Sequence, residues 1–310
     1  MAEFSAGDTA LTGFRIAWQH PKAVAVWAVL QMAVSLALTV FVTLSAGPAF
    51  ERMTTVGFQP NPDPTVLMGL MRQLAPTYAV LLIGSLVYYA VLYAAMNRAV
   101  LRPQADRFGY LRLASDELRQ LGLFATMALL GFGLYIALII LAVVVLSLLA
   151  LVGVGGIGAA GGLELLLVVP AVVAVFIYVG VRFSLASPAT FAAGRINLMA
   201  SWTLTRGRFW RLFVTYAMAF GLSLVVLALT LVIAVLLAGV AGGGLPAAGA
   251  SMQTDFSSLS AVLTPSRLVY LAVSAIGTAL GWPITMAPPA VIYRALIAGQ
   301  NLNGVGRVFE

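Results

Sequence analysis

Six long apolar stretches constrain the fold of this chain more than any other feature of its sequence. A helix needs about 20 predominantly apolar residues to cross a bilayer, and 62% of the 310 residues are hydrophobic while 9% are charged. The mean hydropathy of +1.03 is that of a membrane protein. We therefore expect an all-α integral membrane fold in a single polytopic domain, residues 1–310. The six predicted transmembrane helices are 23–46, 77–96, 121–152, 165–181, 209–240 and 268–293.

The basic residues divide unequally between the two ends of the predicted helices. Fourteen of the 17 lysines and arginines fall in the terminal segments and in the second and fourth connections, and the other three are Arg52, Arg72 and Arg267. Positively charged short loops stay in the cytoplasm, so the even number of spans puts both termini there. The net charge of +7 also suits anionic lipid headgroups. Nucleic acid is not an expected partner, because each basic cluster is short and flanked by apolar stretches.

The sequence offers no residue set for catalysis, for a metal ion or for a cofactor. It contains no cysteine and a single histidine, His20, which excludes thiol chemistry and histidine clusters. Every carboxylate lies outside the six predicted helices, with Glu164 at the mouth of the fourth. Hydrolysis within the membrane would need a nucleophile with a base, paired carboxylates or a metal site. We therefore predict no catalytic residue, no metal, no cofactor and no enzymatic activity.

The connections on the outer side have the composition of flexible segments. Residues 47–75 contain the sequence QPNPDPT, whose spaced prolines favour extended backbone. Residues 153–162 are rich in glycine, and residues 241–258 are small and polar. We expect no folded domain at any of the three places, and a flexible connector at the glycine-rich stretch.

Similar sequences recur at the cytoplasmic ends of the predicted helices. The second, fourth and sixth helices end in MNRAVLRP, GVRFSLASP and IYRALIAG, which align Arg98, Arg182 and Arg294. The first, third and fifth helices each follow a helix-compatible segment, at 4–20, 104–120 and 188–206. The pattern predicts three hairpins, each made of a cytoplasmic interfacial helix, a span out and a span back. Chance similarity within a small amino-acid alphabet is the alternative.

The connection between the fourth and fifth helices concentrates arginine and tryptophan, in the sequence RFSLASPATFAAGRINLMASWTLTRGRFWRLF. Ser187 with Pro188 is a helix start signal, and Gly207 is a stop signal. We expect one amphipathic helix along the membrane, whose interfacial anchors are Phe191, Leu198, Trp202 and Trp210. The predicted contacts to lipid headgroups are Arg182, Arg195, Arg206, Arg208 and Arg211. The alternative is that Trp202 packs against the bundle and the arginines only determine topology.

A similar amphipathic helix is predicted near the N-terminus. Ser5 and Asp8 form a capping signal at its start. A stripe of apolar residues follows at helical spacing and could face lipid, comprising Phe4, Leu11, Phe14 and Trp18.

The arginine-rich connection resembles a bacterial pattern in which arginine, small apolar residues and a proline precede a helix ending in SW-x-L-T-R-G-x-F-W. The matching residues here are Pro188, Ser201, Trp202, Leu204, Thr205, Arg206, Gly207, Phe209 and Trp210. The pattern is similar to that of the membrane domain of some glycerophosphoryl diester phosphodiesterases and of stand-alone bacterial inner-membrane proteins. The resemblance implies a membrane module of the bacterial inner membrane without the soluble catalytic barrel.

The sequence favours a non-enzymatic inner-membrane protein that organises lipids, chiefly anionic ones, or partner membrane proteins. The alternative is a transporter or permease-like component for a lipid or a neutral solute, because prolines within the predicted helices could open a path. A water-accessible cavity at the middle of the membrane would favour transport, since an organising role needs none. The small-residue stretches 239–243 and 277–281 are expected to pack helices within one monomer.

Overall fold

The computed structural model describes residues 5–57, 59, 62–104, 108–151 and 160–306. The described residues form eleven α-helices and one 3-10 turn, without a β-strand. The six long helices are α2 (Pro21–Gly57), α3 (Pro64–Leu101), α4 (Ser115–Leu151), α5 (Ala160–Phe183), α8 (Phe209–Gly242) and α11 (Pro265–Gly306). The short helices are α1 (Ala6–Gln19), α6 (Ala186–Ala193), α7 (Leu198–Leu204), α9 (Leu245–Met252) and α10 (Leu259–Val262). Six helices in this part of the chain are long and apolar enough to cross a membrane, which confirms the all-α fold.

The predicted N-terminal helix is present as α1. The Ser5 hydroxyl accepts a hydrogen bond of 3.4 Å from the Asp8 backbone N–H, as the capping signal predicts. One face of α1 packs on α11, where Gly13 lies directly against the backbone of Ile284. The opposite face is exposed and carries Leu11, Phe14 and Trp18. Contact of this face with lipid stays a prediction.

The described residues of the segment 104–120 do not form the separate interfacial helix that the sequence predicts. Phe108–Tyr110 is a 3-10 turn in which all three residues have positive φ, and α4 begins only at Ser115. Trp27 Nε1 donates a hydrogen bond of 2.7 Å to the Gly109 carbonyl, and Tyr110 is fully buried. These tertiary contacts hold a left-handed conformation that cannot continue as a right-handed helix.

The first outer connection is much shorter than predicted, because helices occupy most of residues 47–75. Thr65 donates a backbone hydrogen bond of 2.8 Å to the Asp63 carboxylate, and Pro64 takes the first position of α3. A cap followed by proline starts a helix, so Asp63 and Pro64 of the QPNPDPT sequence begin α3. The ends of α2 and α3 pack together through Ala46, Ala49, Leu70 and Leu74.

The third outer connection contains the two short helices α9 and α10. Arg267 at the start of α11 fastens this region, because its guanidinium donates to the Ser251 carbonyl and, at 2.6 Å, to the Thr254 hydroxyl. Most of the glycine-rich stretch 153–162 lies outside the described residues.

Helices α8 and α11 form the centre of the bundle and meet at small residues. Gly277 on α11 lies so close to Thr230 on α8 that a methyl group at Gly277 would overlap it. Gly239 packs in the same way on Ala248 of α9. These two contacts confirm packing within the monomer, whereas Gly281 has no neighbour that its Cβ would meet.

Most of α4 is exposed among the residues that the structure describes. Its base packs on α3, and the Phe124 ring lies 5.0 Å from the Tyr93 ring. Beyond this base the large apolar side chains are exposed, including Leu129, Phe132, Ile140, Val144 and Leu148. A helix that is apolar on all sides and uncovered by protein suits a lipid surrounding.

The bundle has two distinguishable ends. The end that carries α6 and α7 is called the arginine-rich end below. Arg52, Arg72 and Arg267 lie at the opposite end, where the Phe50 ring is 5.7 Å from the Phe256 ring. These three arginines therefore lie at the end of the bundle opposite to the arginine-rich connection.

Candidate functional site

The arginine-rich connection forms two short helices in place of the single predicted helix over 188–206. α6 begins at Ala186, and the chain breaks at Gly194, which has a left-handed φ of 65°. α7 then starts at an Asn197 cap, whose side chain accepts a hydrogen bond of 3.1 Å from the Ala200 N–H. Gly207, with φ of 74°, stands between α7 and α8, as its stop signal predicts.

α6 is buried in the bundle, although the sequence predicts an interfacial position for it. It packs against α3, α4 and α11, and its residues 186–191 are all buried. Phe191 is 1% exposed, so its prediction as a lipid-facing anchor is wrong. Its ring lies under the guanidinium groups of Arg102, 4.7 Å away, and of Arg98, 5.8 Å away. Cation–π contact and burial together hold α6 inside the protein.

Ser201 and Thr205, one turn apart on α7, fasten the end of α5. The Ser201 hydroxyl donates a hydrogen bond of 2.8 Å to the Arg182 carbonyl and accepts one of 3.1 Å from the Leu185 N–H. The Thr205 hydroxyl accepts a hydrogen bond of 3.2 Å from the Arg182 guanidinium. The Trp202 ring lies 4.2 Å from the Arg182 Cζ. We call these five residues the α5–α7 clamp.

The prediction that Arg182 binds lipid headgroups is wrong, because its side chain belongs to the clamp. The Arg182 side chain is buried between Trp202 and Thr205, and its Nε has no hydrogen-bond partner. A buried arginine is held by contacts of this kind and does not reach phosphate. The clamp also gives the SW-x-L-T-R-G pattern a structural role, because Ser201, Trp202 and Thr205 connect two helix ends.

The outer side of α7 is exposed and combines apolar with basic side chains. Trp202 is 37% exposed, with its other part packed on the Phe183 ring at 5.5 Å. Trp210, predicted as an anchor, is 74% exposed, and Leu198 is half-buried. The exposed or half-buried residues of this region are Arg195, Ile196, Met199, Trp202, Arg206, Arg208, Trp210 and Arg211. We call this set the α7 surface.

Behind the α7 surface lies a buried polar cluster that links α3, α4 and α6. Its members are Asn97, Arg98, Glu117, Gln120 and Ser187. The Ser187 hydroxyl accepts from Asn97 Nδ2 at 2.8 Å and donates to Gln120 Oε1 at 2.9 Å, and Gln120 Nε2 donates to the Ser187 carbonyl at 3.0 Å. Each of these polar groups has a partner, which is the condition for tolerable burial.

An ion pair occupies the other half of the polar cluster. Arg98 Nη2 lies 2.7 Å from Glu117 Oε1, and Arg98 Nη1 donates to the Tyr110 carbonyl. Glu117 Oε2 accepts a hydrogen bond of 2.9 Å from the Ala114 N–H. Asp116 adds a second carboxylate 3.7 Å from Arg98. Arg98 and Glu117 are thus both buried, and each charge is balanced by the other.

Sequence reasoning missed the polar cluster except for Arg98. A signal was present in the adjacent polar pair Asn97 and Arg98 within an otherwise apolar helix end. A second signal was the spacing of Glu117 and Gln120, which puts both on one face of α4. Neither signal identifies Ser187 as the residue that joins the two helices.

The three aligned arginines lie toward the same end of the bundle in three different environments. Arg98 pairs with a carboxylate, and Arg182 stacks on a tryptophan. Arg294 is exposed and donates a hydrogen bond of 3.1 Å to the Val100 carbonyl. The internal repeat stays a prediction, but these arginines do not form one common site.

Within the described residues, no group of three or more His, Cys, Asp or Glu side chains could hold a metal ion. The polar cluster at the arginine-rich end is buried and its members bond to one another, whereas the α7 surface is exposed. Comparison with protein-family models, with curated proteins and with solved structures gives no match. The α7 surface is therefore the candidate for contact with another molecule at this end.

Proposed function

We propose that the chain is a non-enzymatic protein of the bacterial inner membrane that binds and organises anionic lipids at its cytoplasmic face. The α7 surface is the observation that supports this proposal, because it joins exposed apolar side chains to four arginines. Segments of this composition bind the membrane interface through apolar burial and attraction to anionic headgroups. The α5–α7 clamp gives this surface a defined position beside α5 and α8.

The arginines of the α7 surface supply the attraction to headgroups in this proposal. Arg195, Arg206 and Arg211 are exposed, and Arg208 is half-buried with a hydrogen bond of 3.1 Å to the Leu204 carbonyl. Each basic residue near an anionic membrane surface contributes about 1 kcal/mol. Four of them would concentrate anionic lipid around α7 without a dedicated pocket.

Neutralising the α7 surface is expected to remove a preference for anionic lipid. The variant carries Gln at Arg195, Arg206, Arg208 and Arg211, and the measurement is the ratio of phosphatidylglycerol to phosphatidylcholine retained after purification from mixed vesicles. We expect the wild-type protein to enrich phosphatidylglycerol and the variant to lose most of this enrichment, because each arginine removed takes away about 1 kcal/mol of attraction to an anionic surface. Higher ionic strength should weaken the wild-type enrichment as well.

The control variant carries Gln at Arg52 and Arg72, exposed arginines at the opposite end of the bundle. It should retain the wild-type lipid ratio. An unchanged ratio in the α7 variant would show that the arginines act on topology only and would remove the support for lipid organisation.

The proposed orientation makes a separate prediction about topology. Reporter fusions after Pro60, Gly156 and Met252 should report the periplasm, and fusions after Gln104 and Ile196 should report the cytoplasm. The reason is that fourteen of 17 basic residues lie in the segments assigned to the cytoplasm. A cytoplasmic reporter signal after Gly156 would contradict the hairpin formed by α4 and α5.

The resemblance to the phosphodiesterase membrane domain belongs to the same proposal. The structure supports the resemblance because buried residues of the shared pattern hold the ends of neighbouring helices together. Ser201, Leu204 and Thr205 are all buried at the junction of α5, α7 and α8. A protein with this pattern and no barrel would serve as a membrane module.

A cavity between α3, α5, α8 and α11 favours transport as a second candidate function. The cavity has a volume of about 320 Å³, and its wall includes Tyr93, Ser184, Tyr216 and Thr285. The Tyr216 hydroxyl donates a hydrogen bond of 2.8 Å to the Ser184 hydroxyl. Hydroxyl groups inside a bundle suit a neutral solute better than an ion, because no charged side chain lines this cavity.

A further inference from the structure

A lateral groove between α2 and α3 has a volume of about 780 Å³. This volume lies in the range of sites that hold small molecules of several hundred daltons. The groove opens at the surface of the bundle, where Leu38, Val87 and Tyr89 on its rim are exposed. It lies on helices other than α5, α7 and α8, so it is separate from the α7 surface.

The inner part of the groove is apolar and its polar groups already have partners. Gln31 Nε2 donates a hydrogen bond of 2.9 Å to the Ser35 hydroxyl, and the Tyr88 hydroxyl donates to Gln31 Oε1. The Ser85 hydroxyl donates to the Leu82 carbonyl at 2.8 Å. An apolar chain entering the groove would therefore leave no polar group without a hydrogen bond.

A basic side chain lines the groove at one end. Arg112 lines it there and is exposed, next to the exposed Leu113. This end is called the mouth. Tyr88 lies about 20 Å from the end of α3 at 1.5 Å rise per residue, so the groove runs from this mouth toward the middle of the helix.

A second, smaller cavity continues the groove across α3. Its volume is about 280 Å³, and it shares Val87, Val91 and Leu113 with the groove. Glu117 borders this cavity, but its carboxylate is paired with Arg98 and does not present a free negative charge. The two cavities together offer space for more than one acyl chain beside α3.

We infer that the groove between α2 and α3 binds one molecule of an anionic phospholipid. Its acyl chains would lie along the apolar wall between the two helices. Its phosphate would lie at the mouth, where Arg112 supplies positive charge. This assignment is independent of the proposed α7 function, because the groove would take a single lipid into a shaped site while the α7 surface gathers many.

Filling the groove is the sharpest test, and Gly84 makes it possible. Gly84 lines the groove, and a Cβ built on it meets no atom within 4 Å. The substitution Gly84→Leu therefore puts a side chain into the groove without a clash against the protein. Gly131→Leu on α4 is the matched control, because Gly131 is also a helical glycine whose Cβ meets open space.

The experiment titrates delipidated protein with dioleoyl-phosphatidylglycerol or dioleoyl-phosphatidylcholine and follows the one-lipid complex by native mass spectrometry. We expect Gly84→Leu to weaken binding of both lipids by about tenfold or more, since displacing two methylene contacts already has that effect. Gly131→Leu should bind as the wild-type protein does. Arg112→Gln should weaken phosphatidylglycerol by about fivefold and leave phosphatidylcholine unchanged.

Equal lipid binding by Gly84→Leu and Gly131→Leu would overturn the assignment. Loss of the one-lipid complex on neutralising the α7 arginines, with Gly84→Leu unaffected, would instead place the lipid at α7. Crosslinking of two copies of the chain through Ser85→Cys in native membranes would show that a second copy fills the groove, which would also overturn the assignment. The failure of the α7 experiment alone would leave the groove assignment intact.

Discussion

Arg98→Met should lower the free energy of unfolding by about 3–5 kcal/mol, because it leaves a buried carboxylate without its partner. Glu117 is 5% exposed and would keep only the hydrogen bond from the Ala114 N–H. The methionine side chain fills similar space, so the loss reports the charge and not a cavity. Thermal unfolding in mild detergent should show a midpoint lower by roughly 10 °C.

Arg119→Met is the matched control for this prediction. Arg119 binds Asp116 at 2.9 Å on the same helix but is 36% exposed, so we expect a change of at most about 1 kcal/mol. The double variant Arg98→Met with Glu117→Leu should recover most of the lost stability, since an apolar pair can replace a buried ion pair at little cost. Equal unfolding temperatures for Arg98→Met and Arg119→Met would contradict a stabilising role for the polar cluster.

Gly277→Ala should destabilise the bundle by about 1–3 kcal/mol, because α8 and α11 have no room for a methyl group at their contact. The new Cβ would overlap the side chain of Thr230. Because threonine is branched at Cβ, rotation of the Thr230 side chain does not remove the overlap. Its hydroxyl also donates a hydrogen bond of 2.8 Å to the Val226 carbonyl. The two helices would have to separate, and thermal unfolding in detergent measures the consequence.

Gly281→Ala, four residues further along α11, is the control for the contact between α8 and α11. Nothing stands within 4 Å of a Cβ at Gly281, so alanine should be neutral or should stabilise the helix by about 0.5–1 kcal/mol. Adding Thr230→Gly to Gly277→Ala should restore part of the stability by removing the overlapping atoms. If both alanine variants unfold at the same temperature, the close approach of α8 and α11 is wrong.

The six long helices and their approximate centres were predictable because a lipid surrounding imposes a local requirement. Each span must satisfy its own backbone hydrogen bonds and present about 20 apolar residues. The α1 cap at Ser5 and the stop at Gly207 were predictable for a similar reason, since both depend on residues within one turn. The helix starting at Pro64 was missed, although Asp63 and Pro64 carry a local start signal.

The candidate surface was predicted only in part. Trp202, Trp210 and four of the five arginines assigned to headgroups are at least partly exposed, which leaves the lipid prediction open to test. Phe191 was assigned to the surface because it follows an amphipathic pattern, and Arg182 because it belongs to the arginine-rich connection. Both are buried because each contacts a side chain from another part of the bundle. Arg182 packs on Trp202, and Phe191 packs under the Arg98 and Arg102 guanidiniums.

Apolar length, caps and the distribution of basic residues were sufficient to predict a six-helix membrane fold, because each is a property of neighbouring residues. The insertion of α6 between α3 and α4, the left-handed turn at Gly109 and the groove beside Tyr88 follow from contacts between residues far apart in the chain. Such contacts depend on how whole helices pack. The energy of a buried polar group is set by the partner that packing brings to it, as Ser187 does for Asn97 and Gln120.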